Sequence, residues 1–212
     1  MPPASADLDA IRLDGAVRIG TTATIVDPAA ADRARAIFAA HHALALPNAF
    51  DPLLLDMIMG LSRNATFEPD LHEKIGDRVR EKDDRVGHAL RFMFERAALL
   101  NWATAAAQCE DLAGISGVLT EMRPGVGHAI GWHDDRNVPS RRLALIVHLS
   151  EAPFEGGRFE LARKDTPEPS LTIGYLPPGA IVLFRVDAAL RHRVTAVEGT
   201  QARRVFAGWI TV

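Results

Sequence analysis

Two hydrophobic periodicities divide this chain. Up to about residue 111, apolar positions recur mainly at helical spacing; beyond it they come in short runs between turn signals. In the first part, Leu90, Met93, Phe94, Ala97 and Leu100 fall at helical intervals and predict one long helix from about Arg85 to Gln108. Asp27-Pro28 and Asp51-Pro52 each supply an N-cap followed by proline at the first helical position. The first opens an Ala-rich stretch to about His42; the second precedes Leu53, Leu54, Leu55, Ile58 and Met59. Val17 to Val26 is rich in Val, Ile and Thr and reads as a strand. Asn64 to Arg85 is polar and charged, with Pro69 and Gly76, and reads as a loop or hairpin, either a solvated surface or a lid over a substrate.

From about Leu112 the runs are Ile115 to Met122, Leu143 to Leu149, Arg158 to Ala162, Leu171 to Leu176, Ala180 to Phe184, Arg191 to Val197 and Arg203 to Val212. Pro124-Gly125, Gly156-Gly157, Pro177-Pro178-Gly179 and Gly199 punctuate them. Strands so spaced predict a sandwich or jelly roll. The expected fold class is α+β: residues 1–111 form a mostly helical support, and residues 112–212 form a double-stranded β-helix (jelly roll) core of the same domain.

Composition narrows the partners. With 24 basic and 27 acidic residues, the formal charge is −3, so no nucleic-acid partner is expected. A lone cysteine, Cys109, cannot form an internal disulfide and fits a reducing compartment. The start, Met1 to Asp7, lacks the basic-then-apolar pattern of a signal peptide, and no apolar run has the length of a membrane span. The expected location is cytoplasmic, with no membrane partner.

The chemistry centres on Gly131-Trp132-His133-Asp134-Asp135 and a distant His192-Arg193-Val194. Two histidines and one carboxylate on one face of Fe(II) leave three coordination positions open, the arrangement of non-haem iron oxygenases. In extended chain, His133 and Asp135 point to one side and Asp134 to the other, and a jelly roll brings His192 opposite them. His-x-Asp alone recurs often by chance; its surroundings make it specific.

Those surroundings resemble the 2-oxoglutarate/Fe(II)-dependent dioxygenases, particularly their prolyl-hydroxylase-like branch. Met122-Arg123-Pro124-Gly125 is similar to that family's Tyr-x-Pro-Gly segment before the iron motif. Arg142 to Ser150 resembles its Arg-led strand ending in Tyr-Leu-Asn, and Glu155-Gly156-Gly157-Arg158-Phe159-Glu160-Leu161 its Gly-Gly hairpin. Pro178-Gly179 to Phe184 resembles the strand before the distal histidine. His192 to Val197, Arg203 and Gly208-Trp209 resemble the histidine, the arginine and the closing Gly-Trp.

The resemblance implies His133, Asp135 and His192 as iron ligands, Fe(II) as metal, 2-oxoglutarate and O2 as co-substrates and ascorbate as a reductant. It implies oxidative decarboxylation to succinate and CO2, coupled to hydroxylation of an unactivated C–H bond in a peptide, protein or small-molecule substrate. It also implies a basic residue pairing with the 5-carboxylate of 2-oxoglutarate. That residue commonly lies about ten positions after the distal histidine and six before the closing Trp. Arg203, eleven after His192 and six before Trp209, fits better than Arg204. His148 and Arg123 stand where the family often has tyrosines, and both are candidate co-substrate contacts. His148 also reads as a hydrogen-bonded core histidine. Trp132 and Trp209 read as core or pocket residues, and Arg142 as lining the site entrance or pairing with a surface acid. Asp134 reads as a surface or outer-sphere group, and His128 as structural or substrate-facing. The rival readings are a non-catalytic jelly-roll binding module, a cupin-type metal isomerase and an oxidative demethylase of nucleic acid.

Overall fold

The structure is a computed structural model that describes residues 6–72 and 75–212. Met1 to Ser5, which begin the stretch read above as lacking a signal-peptide pattern, and Glu73 and Lys74 of the polar segment lie outside the described residues. In chain order the elements are α1 (Ala6–Ile11), β1 (Val17–Ile19), β2 (Thr24–Val26), α2 (Ala30–His41), β3 (Ala43–Leu46), α3 (Pro52–Arg63), β4 (Phe67–His72), β5 (Gly76–Glu81), α4 (Arg85–Phe94) and α5 (Ala97–Ala107). There follow β6 (Gly114–Met122), β7 (Ile130–His133), β8 (Arg141–His148), β9 (Glu155–Gly156), β10 (Phe159–Arg163), β11 (Leu171–Ile173), β12 (Ile181–Arg185), β13 (Leu190–Val194), β14 (Val197–Glu198) and β15 (Arg203–Thr211).

Two antiparallel sheets make the jelly roll. The major sheet runs β3-β12-β8-β15-β6-β5-β4, and the minor sheet runs β11-β10-β13-β7. The major sheet is buried on both faces, which is why β8 and β12 are almost continuously apolar. Leu143, Leu145 and Val147 face the helices together with Phe38, Phe94 and Phe206. Ala144 and Ile146 face inward with Phe159, Leu161, Val182, Phe184 and Val205. One core therefore joins helices to sheet, and a second fills the space between the sheets.

Local signals set the helix starts. Asp51 accepts from the Leu53 backbone N–H, and Pro52 opens α3. At Asp27-Pro28 the expectation is corrected: the Asp27 carboxylate accepts from the Ala29 N–H, but α2 begins at Ala30 with Ala29 as its N-cap, so Pro28 lies in the turn before the helix. Two further expectations are corrected, and of the alternatives for the polar segment the structure has the hairpin. The predicted helix from Arg85 to Gln108 is two helices, α4 and α5. The break falls at Arg96, whose backbone is extended and whose guanidinium donates to the carbonyls of Gly20 (2.6 Å) and Thr21 (2.8 Å). Anchoring the turn of the N-terminal hairpin interrupts the periodic helix. The strand predicted over Val17 to Val26 is that hairpin, β1 paired with β2. The polar segment is ordered mainly as the β4–β5 hairpin, which extends the major sheet by pairing Val79 and Arg80 with β6.

Candidate metal and co-substrate site

His133 closes β7 and His192 lies within β13; the two are direct cross-strand partners. Partnered residues share a sheet face, so both imidazoles point into the roll, with ring centroids 4.1 Å apart. Asp135 completes the group by a route that strand alternation does not describe. The strand has ended, and Asp135 adopts a left-handed backbone (φ 58°), sparsely populated for a residue with a side chain and typical of functional sites. Its carboxylate lies 3.4 Å from His133 Nε2 and 3.2 Å from His192 Nε2. One ligand atom from each residue falls within 4.8 Å of the others, a cluster that could hold one metal ion.

Neighbouring groups orient the three. His133 Nδ1 is 2.8 Å from the Gly131 carbonyl; a carbonyl only accepts, so Nδ1 donates to it, and Nε2, turned toward Asp135, is the nitrogen that would give up its proton to hold a metal. Trp209 Nε1 donates to Asp135 Oδ2 at 2.8 Å. Burial opposes the charge on Asp135, but donors from His133, His192 and Trp209 outweigh it and hold the carboxyl far below its usual range. For His133, burial is outweighed by the Asp135 hydrogen bond and charge, and its pKa rises. For His192, burial prevails and its pKa falls. Phe159 and Phe184 pack against the His192 ring, giving a dry wall.

Behind the cluster a pocket runs inward past Met122, Ile146 and Val205 to Arg203. Arg203 is buried; among the described residues its Nε has no partner, and Nη1 reaches Met122 Sδ at 3.9 Å. Burial, with the charge of Arg78, lowers its pKa to about 10. His148, opposite Val205 on the same inner face, is buried, and neither ring nitrogen has a partner among the described residues. Burial and then the Arg203 charge push it down to about 3, so it is a neutral imidazole with one donor. An orphaned buried cation beside an orphaned buried donor is costly unless a ligand completes it. A carboxylate at the pocket's inner end meets both needs, so these residues fit a 2-oxo dicarboxylic acid.

Other candidates lie elsewhere. Arg204 points to the opposite face, donating to Glu121 at 2.9 Å and to the Ser62 carbonyl at 2.7 Å. Arg123 is not brought to the pocket; its half-exposed side chain donates to Glu121 at 2.8 Å. His128 accepts from the Arg123 backbone N–H at 3.0 Å, closing the turn between β6 and β7. Arg142 pairs with Glu110 at 2.5 Å, and Asp134 with Lys164 at 2.5 Å. Trp132 lies between the guanidinium groups of Arg191 and Arg193, whereas Trp209 lines the pocket. Sequence reasoning missed Arg78 and Arg141. Arg78 is in the polar segment read as a loop or hairpin, and Arg141 immediately precedes Arg142, which the resemblance puts at the head of β8.

A jelly roll with a clustered 2-His-1-carboxylate group is the arrangement of mononuclear non-haem iron oxygenases. Residues 118–211, the segment that carries all three residues of the cluster, match the family model of the 2OG-Fe(II) oxygenase superfamily; this segment is similar to 2-oxoglutarate-dependent dioxygenases, which use Fe(II) as metal and 2-oxoglutarate as co-substrate. Solved structures share the fold. An oxidoreductase of the 2OG-Fe(II) oxygenase family from Burkholderia pseudomallei is 16% identical, with TM-score 0.64, over 92% of this chain and 95% of that one. A Pseudomonas putida prolyl-4-hydroxylase is also 16% identical, with TM-score 0.64, over 86% and 98%. The epimerase SnoN, in complex with Fe3+, alpha-ketoglutarate and nogalamycin RO, is 14% identical, with TM-score 0.63, over 87% and 84%. No curated protein matches significantly by sequence.

Proposed function

We propose that the protein hydroxylates an unactivated C–H bond in a peptidyl or free amino-acid side chain, with His133, Asp135 and His192 holding Fe(II). The observation that carries this reading is one pocket that joins the cluster to the buried Arg203, whose Nε has no partner among the described residues, with the buried His148 near enough to feel the Arg203 charge. Fe(II) with 2-oxoglutarate and O2 supplies the oxidising equivalent for C–H hydroxylation, and succinate and CO2 are the co-products. The chain does the rest. Arg203 and His148 receive the 5-carboxylate by charge-assisted and neutral hydrogen bonds. Gly131 and Trp209 fix the ligand orientations. Phe159, Phe184 and Ile146 keep water from the inner pocket.

The resemblance to a prolyl-4-hydroxylase supports an amino-acid side chain as substrate, and SnoN keeps a small molecule in view. The net charge of −3 disfavours nucleic acid. Among the described residues no helix is long and apolar enough to cross a membrane; with Cys109 free, we place the protein in the cytoplasm. The test is succinate formation from 2-oxoglutarate by the Fe(II)-loaded protein with ascorbate and O2, followed by mass spectrometry for a product one oxygen heavier. Folded, iron-loaded protein that yields no succinate overturns the reading.

A further inference from the structure

A second cavity adjoins the pocket on the side away from Arg203. It shares Arg78, His133, Asp135 and Trp209 with the first and adds Asn137 and Arg141. Asn137 is exposed, so this cavity opens to solvent beside the cluster. Arg141 is mostly buried, its side chain 14% exposed. Its guanidinium lies over the Trp209 ring, 3.8 Å from the centroid. Nη1 donates to the Asn137 side chain at 3.0 Å and to the Asp135 carbonyl at 3.3 Å. The nearest carboxylate, Asp135 Oδ1 at 3.9 Å, is already taken by the two histidines and Trp209.

The other charges around this opening cancel. Arg78 pairs with Asp70 at 2.8 Å, and Asp134 with Lys164. With Fe(II) and 2-oxoglutarate bound as proposed above, the metal and Arg203 balance Asp135 and the dianion. Among the described residues Arg141 is left as one part-buried positive charge without a counter-ion of its own, stacked so that its remaining N–H donors lie in the plane of a fork that matches a carboxylate. Two units of negative charge would overshoot, which favours a carboxylate over a phosphate.

We propose that the substrate carries a carboxylate, received by Arg141 against Trp209 at the outer side of the metal cluster. The inference rests on the proposed oxygenase reading. The carboxylate belongs to a free acid or to an acidic side chain of a peptide, and the test carries both.

The probes are N-acetyl amino acids, their neutral N-acetyl methylamides, and the N-acetyl methylamides of aspartate and glutamate. Each is titrated calorimetrically into catalytically silent Zn(II)-loaded protein with saturating 2-oxoglutarate. The expected result is at least one carboxylate probe binding about tenfold or more tightly than its neutral counterpart, as for one charge-assisted bond. The class that binds identifies the source. R141Q should bring the preference below about threefold, R141K should keep part of it, and R142Q, altered at the neighbour facing Glu110, should keep all of it. No preference in the wild-type protein, no carboxylate probe binding, or an undiminished preference in R141Q each overturns the proposal. Succinate formation by the Fe(II)-loaded wild-type protein is measured in parallel. Its presence alongside a negative titration sinks this inference alone; its absence sinks the oxygenase reading as well.

Discussion

Trp209 Nε1 donates to Asp135 Oδ2 at 2.8 Å, joining residues 74 positions apart. The same indole carries the Arg141 guanidinium on its face. One side chain near the end of the last strand therefore steadies the carboxylate of the metal cluster and shapes the substrate's side of it. Trp209→Phe keeps the ring and removes only the donor. Partners of metal ligands commonly contribute 10- to 100-fold in metal affinity, so Fe(II) or Co(II) should bind about 10- to 100-fold more weakly. Metal titration under anaerobic conditions checks this; unchanged affinity would show that Asp135 is positioned without the indole.

Replacing His192 with Ala removes one of the three candidate ligands from a strand otherwise held by its neighbours. Turnover of 2-oxoglutarate to succinate should be lost while the circular dichroism spectrum stays native. Wild-type succinate formation in this variant would show that the cluster is not the metal site.

Arg203 and Arg204 separate binding from folding. Arg203→Ala should weaken 2-oxoglutarate binding by roughly 10- to 150-fold, the range for one charge-assisted hydrogen bond. Arg204→Ala should change that affinity less than about threefold. It should instead lower stability by about 1–3 kcal/mol, less than the full cost of breaking a buried pair because Arg204 is partly exposed. It leaves Glu121 with Arg123 alone. Binding titrations and urea unfolding of both variants test this, and a large binding loss in Arg204→Ala with normal binding in Arg203→Ala would reverse the facing of β15.

His148 predicts a pH dependence of folding. In the unfolded chain a histidine titrates near pH 6.5, whereas in the fold burial and then Arg203 hold His148 neutral to about 3. Between those values the unfolded state binds the extra proton. The stability associated with neutral His148 is thus complete above about 6.5 and drains away as pH falls toward 3. At pH 5 the loss is of order 2 kcal/mol. The metal-free His148→Leu protein should lose less stability between pH 7.5 and pH 5 than the metal-free wild type. Equal losses would show that the imidazole is not a buried neutral group.

Arg123→Ala should leave 2-oxoglutarate affinity within about threefold of wild type, because its guanidinium pairs with Glu121 outside the pocket. A tenfold loss in a calorimetric titration would place Arg123 at the co-substrate after all.

How much of this was legible in the sequence follows the range of the forces involved. The jelly-roll class, most of its strands and the candidates His133, Asp135 and His192 could be read from alternating apolar runs, turn residues and a motif in context. Those signals are local, or repeat along the chain at fixed spacing. Arg203 was preferred over Arg204 by its distance from Trp209. The apolar pattern of β15 could not choose, because both faces of that strand are buried, one under helices and one inside the roll. Tertiary structure settled the facing, leaving Arg203 inside, its Nε without a partner among the described residues, and giving Arg204 to Glu121. It broke the predicted long helix at Arg96, whose partners, Gly20 and Thr21, lie far upstream. It turned Asp135 into a left-handed conformation instead of continuing a strand. It brought Arg78 and Arg141 to the metal cluster through pairings of β5 with β6 and β8 with β15. Periodicity records which face of an element is apolar; which distant element that face meets, and which polar groups are thereby left without partners, is fixed only when the strands pair.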